Sequence, residues 1–169
     1  MQSEQRVLGK DSESFEIDGL EDNRTVSLSM ATQARRSIDL FSHDLDPALY
    51  DNAEFTQTLT QLATSNRNAR IRILVLDPAR AIKEGHQLLE TARRLTSFIE
   101  IRQPAREQRD AVDALLIVDA TGMIRRPLAT SYRAQVSFNA PAEAQQQLRL
   151  FDAVWAHAEV PADLRRLHL

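Results

Sequence analysis

Ala114-Leu-Leu-Ile-Val-Asp119, followed at once by Ala-Thr-Gly122, narrows the fold most. Its aliphatic run leaves no face for water, so it reads as a strand covered on both sides and entering a Gly turn. Arg70-Ile-Arg-Ile-Leu-Val-Leu-Asp77 ends in the same way, and Pro78 stops it. Strands of this kind require helices against both faces of a sheet.

The remaining pattern supplies those helices. The spacing predicts helices over Arg24–Arg36, capped by Asn23, and over Ala53–Thr64, with Phe55, Leu59 and Leu62 on one face. Two more are expected over Glu84–Phe98 and from Pro141 to His157. Shorter strands are predicted at Ser14–Asp18, Ser37–Ser42, Ile99–Arg102, Met123–Arg126 and Ser131–Phe138, with a polar loop at Pro104–Asp110. The order implies an α/β fold with a mixed, mostly parallel sheet flanked by helices, the late hairpin making it mixed. Residues 1–12 are polar and expected to be frayed, leaving 13–169 as a single domain.

Composition excludes several chemistries. The chain has no cysteine, which removes disulfides, thiolate metal sites and cysteine nucleophiles. That absence fits a reducing compartment. No stretch reaches the roughly 18 apolar residues of a membrane span. Met1–Arg6 is polar and does not read as a secretory signal. A cytoplasmic location without membrane contact is the expectation. The formal net charge is −3, which gives no overall drive toward nucleic acid. Lys10 and Lys83 are the lysines among 21 basic residues; the others are arginine, suited to bidentate contacts with carboxylate or phosphate.

The element order resembles a single half of the phospholipase D-like superfamily over roughly Arg24–Ala158. A helix leads into Ser37–Ser42, a second into Arg70–Asp77, then come the motif strand and Gly hairpin. The closing helix carries Leu148-x-x-Phe151-x-x-x-Trp155. That superfamily's His-x-Lys-x-x-x-x-Asp, laid on this strand, puts Asp119 at its last position. Ala114 then stands at the Lys position and Val112 at the His position. The resemblance implies a His nucleophile and a Lys that grips phosphate, and this chain has neither. The loss does not depend on register, because no His or Lys occurs between His86 and His157. The chain also resembles an uncharacterised family of bacterial domains, some with acetyltransferase-related names. The matching stretches are Asp44–Asp51, Gly85–Leu88 and Leu164–Leu167. Gly9, Gly19, Gly85 and Gly122 stand far apart, so no Gly-rich pyrophosphate loop is present.

Four histidines remain, at 43, 86, 157 and 168, and none shows a metal-ligand spacing. No metal or cofactor is therefore expected. Asp44, Asp46, Asp77 and Asp119 follow predicted strands, where a carboxylate serves either a turn or a ligand crevice. His86 opens a predicted element beside such an edge, a place suited to anions. The candidate ligand-binding set is Asp77, His86, Arg102, Asp119, Arg126 and Arg133, with no catalytic residue. Arg102, Arg126 and Arg133 serve this set equally well as structural ion-pair partners of the carboxylates. Trp155 is expected to be largely buried.

The expected function is a noncatalytic phospholipase D-like domain serving as a binding or assembly module. A homodimer is an expected assembly, through the face at which single halves of the superfamily pair, and an anionic small molecule or a protein an expected partner. The alternative is a phosphate-handling or nucleic-acid-processing enzyme built on His86, Asp77 and Asp119. Nucleic-acid binding through Arg67–Arg72 and Arg93-Arg94 is a third option, opposed by the acidic balance and few aromatics.

Overall fold

The structure, a computed structural model, describes residues 6–110 and 113–166. Val112, at the His position of the motif, and His168 lie outside the described residues.

Among the described residues, seven strands form one sheet in the order β1-β7-β6-β5-β2-β3-β4. They are β1 Phe15–Ile17, β2 Ser37–Ser42, β3 Arg70–Val75, β4 Ile99–Arg102, β5 Ala114–Val118, β6 Gly122–Arg126 and β7 Ala134–Ser137. The sheet is mixed, as expected, but not mostly parallel. Only β2 with β3 and β3 with β4 pair in parallel; the other four pairings are antiparallel. The direction of β5 makes the difference. It runs against β2, with Phe41 opposite Leu115 and Ile38 opposite Val118.

Helices cover both faces. On one lie α1 Leu20–Thr32, α2 Pro47–Tyr50, α3 Ala53–Ser65, α4 Ala79–Glu84 and α5 Gln87–Arg94. They enclose the larger core with Val26, Met30, Leu59, Leu62, Ile71 and Ile73. On the other lies α6 Pro141–His157, which sets Phe151 and Val154 against Phe41, Leu74 and Ile117. A short α7, Ala162–Arg166, follows.

Several boundaries moved for identifiable reasons. α1 starts four residues early, after Gly19, and Asn23 lies inside it, buried. Its amide donates to the Tyr132 carbonyl, and its Oδ1 accepts from Ser27. The long helix expected over Glu84–Phe98 is instead α4 and α5. They are split at Gly85, whose φ of +83° breaks the helix, and at His86, which caps α5. The hairpin turn is made by Asp119 and Ala120, at φ +54° and +53°. Gly122 sits in β6 for a different reason: a Cβ there would lie 2.5 Å from Leu8 Cδ1 and 3.0 Å from Met30 Sδ. That contact also corrects the expected fraying from residue 6 onward. The Gly9 amide donates to Phe138 O, the Leu8 amide to Gln33 Oε1, and Arg6 lies over Phe15.

Candidate functional site

The antiparallel setting of β5 brings the C-terminal ends of β2 and β6 to its N-terminal end. A cleft of about 220 Å³ opens there. It is lined by Ser42 and His43 from the end of β2, Asp44 and Asp46 from the loop beyond, Ala114, Arg126 and Tyr132. Ala114, expected at the Lys position of the motif, is thus at the cleft wall.

Two arginines line the cleft: Arg80, exposed and paired with Glu84 at 3.2 Å, and Arg126, which is held from several sides. Arg126 donates through Nε to Ser131 O at 2.5 Å and through Nη2 to Ala129 O at 2.6 Å. Its Nη1 meets Asp46 Oδ2 at 3.1 Å, and both side chains are only 12% exposed. The guanidinium also lies 4.6 Å from the Tyr132 ring centroid. Tyr132 donates to Asp46 Oδ1 at 3.3 Å. Burial first, and the Asp46 charge second, hold the Tyr132 hydroxyl above its ordinary pKa, so it remains a donor. Asp46 meanwhile caps α2 by accepting from the Ala48 amide at 3.1 Å. His43 is exposed at the rim.

The loop between β2 and α2 is held under strain. Leu45 is fully buried with φ +63°, a conformation unfavourable for a branched side chain. His86 pins it from behind. Its Nε2–H donates to Leu45 O at 2.7 Å, and its Nδ1 accepts from the Leu88 amide at 3.1 Å. Both ring nitrogens of this fully buried side chain are used, which fixes the neutral Nε2–H tautomer.

Asp119 sits at the opposite end of β5. One carboxylate oxygen accepts from the Arg36 amide at 2.7 Å and the Ser37 amide at 3.0 Å. The other accepts from the Arg35 amide at 2.9 Å. The strand between Ala114 and Asp119 separates it from the cleft by about 16 Å. Asp119 therefore holds a turn and a strand entry together.

The six candidate residues do not converge. Arg126 lines the cleft. Asp77 adjoins it, since its amide donates to His43 O at 2.7 Å, but its carboxylate caps the Ala79 amide. His86 lies behind the loop. Asp119 is at the other edge because β5 runs antiparallel. Arg102 faces α6, bonded to Glu100 and Trp155 O and placed 4.3 Å over the Trp155 ring. Arg133 is exposed beside Glu16 and Asp18 at the far end of the sheet. Trp155 is half-buried rather than largely buried, stacked on Phe151 at 5.9 Å. Tyr132 and Ser42 were missed as lining residues. The available signal was Arg126 itself, whose strand ends where Ala114 begins. Among the described residues, no group of three or more His, Asp or Glu could hold a metal ion, and no helix is long and apolar enough to cross a membrane.

A second buried charge cluster lies under α6. Arg72 meets Asp39 at 2.7 Å and Asp152 at 2.8 Å, and its guanidinium lies 4.8 Å from the Phe151 ring. Burial raises the Asp39 pKa despite the Arg72 charge beside it.

Comparisons with known proteins agree on the architecture. A family model described as "Domain of unknown function (DUF7931)" matches residues 19–167. No curated protein matches the sequence. Among solved structures, Nuc from Salmonella typhimurium, a phospholipase D family member, aligns with a TM-score of 0.61 at 16% identity, over 87% of this chain and 97% of that one. NucT from Helicobacter pylori aligns at 0.57 and 7% identity, over 88% and 99%. TrmBL2, an archaeal chromatin protein with a novel mode of DNA binding, aligns at 0.64 and 16% identity, over 86% of this chain and 52% of its own. The fold is that of a phospholipase D-like domain.

Proposed function

The chain belongs to the DUF7931 family, a domain of unknown function, and we propose that it is a noncatalytic phospholipase D-like domain acting as a binding or assembly module. One contrast carries this reading. The motif position that the chain keeps, Asp119, spends its carboxylate on three backbone amides at the edge away from the cleft. The Lys position, at the cleft, is Ala114. What survives is what the backbone needs; what is missing is what phosphoryl transfer needs. Arg126, the buried arginine of the cleft, adds weight, because its charge is taken up by Asp46 and two carbonyls. An anionic small molecule, a protein or a second copy of the chain is the partner class for this face.

The enzymatic alternative draws on His86, Asp77 and Asp119. It has little support from their positions: the His86 ring is buried with both nitrogens bonded, and Asp119 is across the sheet from Asp77.

The test is a turnover assay of the purified chain on a chromogenic phosphodiester, a phosphatidylcholine vesicle and DNA. The expected result is no turnover above buffer, for the wild type and for His43→Ala alike. Turnover that follows the purified chain and disappears in His43→Ala or Asp46→Asn overturns the reading.

A further inference from the structure

The net charge of −3 conceals a separation of sign along the strands. Helices α1, α3 and α5 descend into the starts of β2, β3 and β4. Around these three junctions stand Arg35 and Arg36, Arg67 and Arg70, and Arg93 and Arg94, all exposed. The junctions are bonded side by side. The Arg70 amide donates to Arg36 O at 3.1 Å, Asn66 Nδ2 to Arg35 O at 2.8 Å, and the Ile71 amide to Phe98 O at 2.8 Å. Neighbouring strand starts are about 4.8 Å apart, so the arginines share one continuous edge.

This charge is only partly offset locally, by the Asp119 carboxylate at the Arg35 and Arg36 amides and by Asp39, whose charge reaches Arg70. Among the described residues, no carboxylate lies within ion-pair distance of Arg35, Arg36, Arg67, Arg70 or Arg94; Arg93 has Glu90 at 3.5 Å. Other nearby acids are already paired: Asp39 and Asp152 with Arg72, Glu100 with Arg102. The three helix C-termini contribute about half a negative charge each, roughly −1.5 together. Six guanidinium groups exceed that, Glu90 and the Asp119 carboxylate by about two to three charges.

We propose that this edge binds the phosphate backbone of duplex nucleic acid without sequence preference. It lies on the side of the sheet away from the cleft, and it does not depend on the cleft being inert. Arginine's planar fork matches phosphate oxygens. A duplex is favoured over a single strand because no exposed aromatic ring stands among the described residues to stack bases. A membrane is disfavoured because, of the exposed large apolar residues among those described, Leu128 and Leu150 are elsewhere and Val7 alone stands near this edge, between Arg6 and Leu8 on Gln33. A second copy fits less well: the acidic residues of the opposite edge are interleaved with Arg24, Arg80, Lys83, Arg106 and Arg109.

The test is fluorescence anisotropy with a short labelled DNA duplex of arbitrary sequence, from about 50 to 200 mM salt. With two to three phosphates neutralised, affinity is expected to fall about 12–40-fold across that range. Substituting Arg35, Arg67, Arg70 and Arg94 together by Ala should weaken low-salt binding at least about tenfold and flatten the salt slope. The Arg24→Ala/Arg109→Ala control should match wild type. If the fourfold variant fails to fold, Arg67→Ala and Arg94→Ala singly should each reduce the slope by about one phosphate contact. The proposal is overturned by absent binding at low salt, or by a variant that binds with the wild-type slope. It is equally overturned if these arginines are needed only for phosphatidylserine vesicles, or only for salt-sensitive self-association seen by sedimentation.

Discussion

Replacing Asp119 by Ala should be among the most damaging changes available at the surface of this sheet. The carboxylate accepts from the amides of Arg35, Arg36 and Ser37 at 2.9, 2.7 and 3.0 Å. Asp119 is only 8% exposed, so water reaches these amides poorly once the acceptor is gone. An orphaned buried donor costs about 1–3 kcal/mol, and partial exposure favours the lower end. Ala also tolerates φ +54° less well than Asp, whose short polar side chain suits the left-handed region. Together the loss should be about 3–5 kcal/mol. For a chain of this size that lowers Tm by about 6–20 °C. Asp119→Asn separates the terms. Its oxygen keeps Arg36, Ser37 and the longer 3.2 Å bond from Arg35, its amide replaces the 2.9 Å acceptor of Arg35, and it accepts the left-handed φ. It should cost about 1–3 kcal/mol. Urea unfolding monitored by circular dichroism measures both. An Ala variant within 1 kcal/mol of wild type, or an Asn variant as damaged as Ala, refutes the assignment of Asp119 to the backbone.

His86→Ala should cost about 2–4 kcal/mol by leaving the Leu45 carbonyl and Leu88 amide without partners; an unchanged urea midpoint counts against the pinned loop. Asp39 gives a pH signature. Burial raises its folded pKa above the unfolded value of 3.8, so the folded state binds the proton more tightly. Its contribution is most favourable below pH 3.8 and is lost as pH rises through the folded pKa. The stability of wild type relative to Asp39→Asn should therefore decline as pH rises from 3.8 through that pKa, and a relative gain contradicts it.

Much of the fold was legible because it is written in local pattern. Phe55, Leu59 and Leu62 mark α3, and the aliphatic run from Ala114 marks β5. Strand direction is not local. Parallel neighbours need a crossover of a dozen or more residues, usually helical. Residues 103–113, between β4 and β5, have Pro104 near their start, are mostly polar and show no apolar helical stripe. That absence was the readable sign that β5 returns from the edge at which β4 ends, antiparallel to β2. Missing it placed Asp119 beside Asp77, when the two stand at opposite edges.

The same reversal explains why the candidate site was only partly legible. Strand-end carboxylates all look alike in sequence, yet Asp46 faces the cleft, Asp77 caps a helix and Asp119 secures a turn. Which role each takes follows from the direction of its strand and from which donors arrive nearby. Net charge misleads for a related reason. It sums over the molecule, whereas binding responds to charge within about a Debye length, roughly 8–10 Å in physiological salt. Six arginines at three adjacent strand starts lie within a few such lengths of one another, while many of the acids that offset them stand at the other edge of the sheet. The helices α1, α3 and α5 all deliver their ends to one side because β2, β3 and β4 are parallel. The parallel half of the sheet thus gathers the basic edge, and the antiparallel half builds the cleft opposite it.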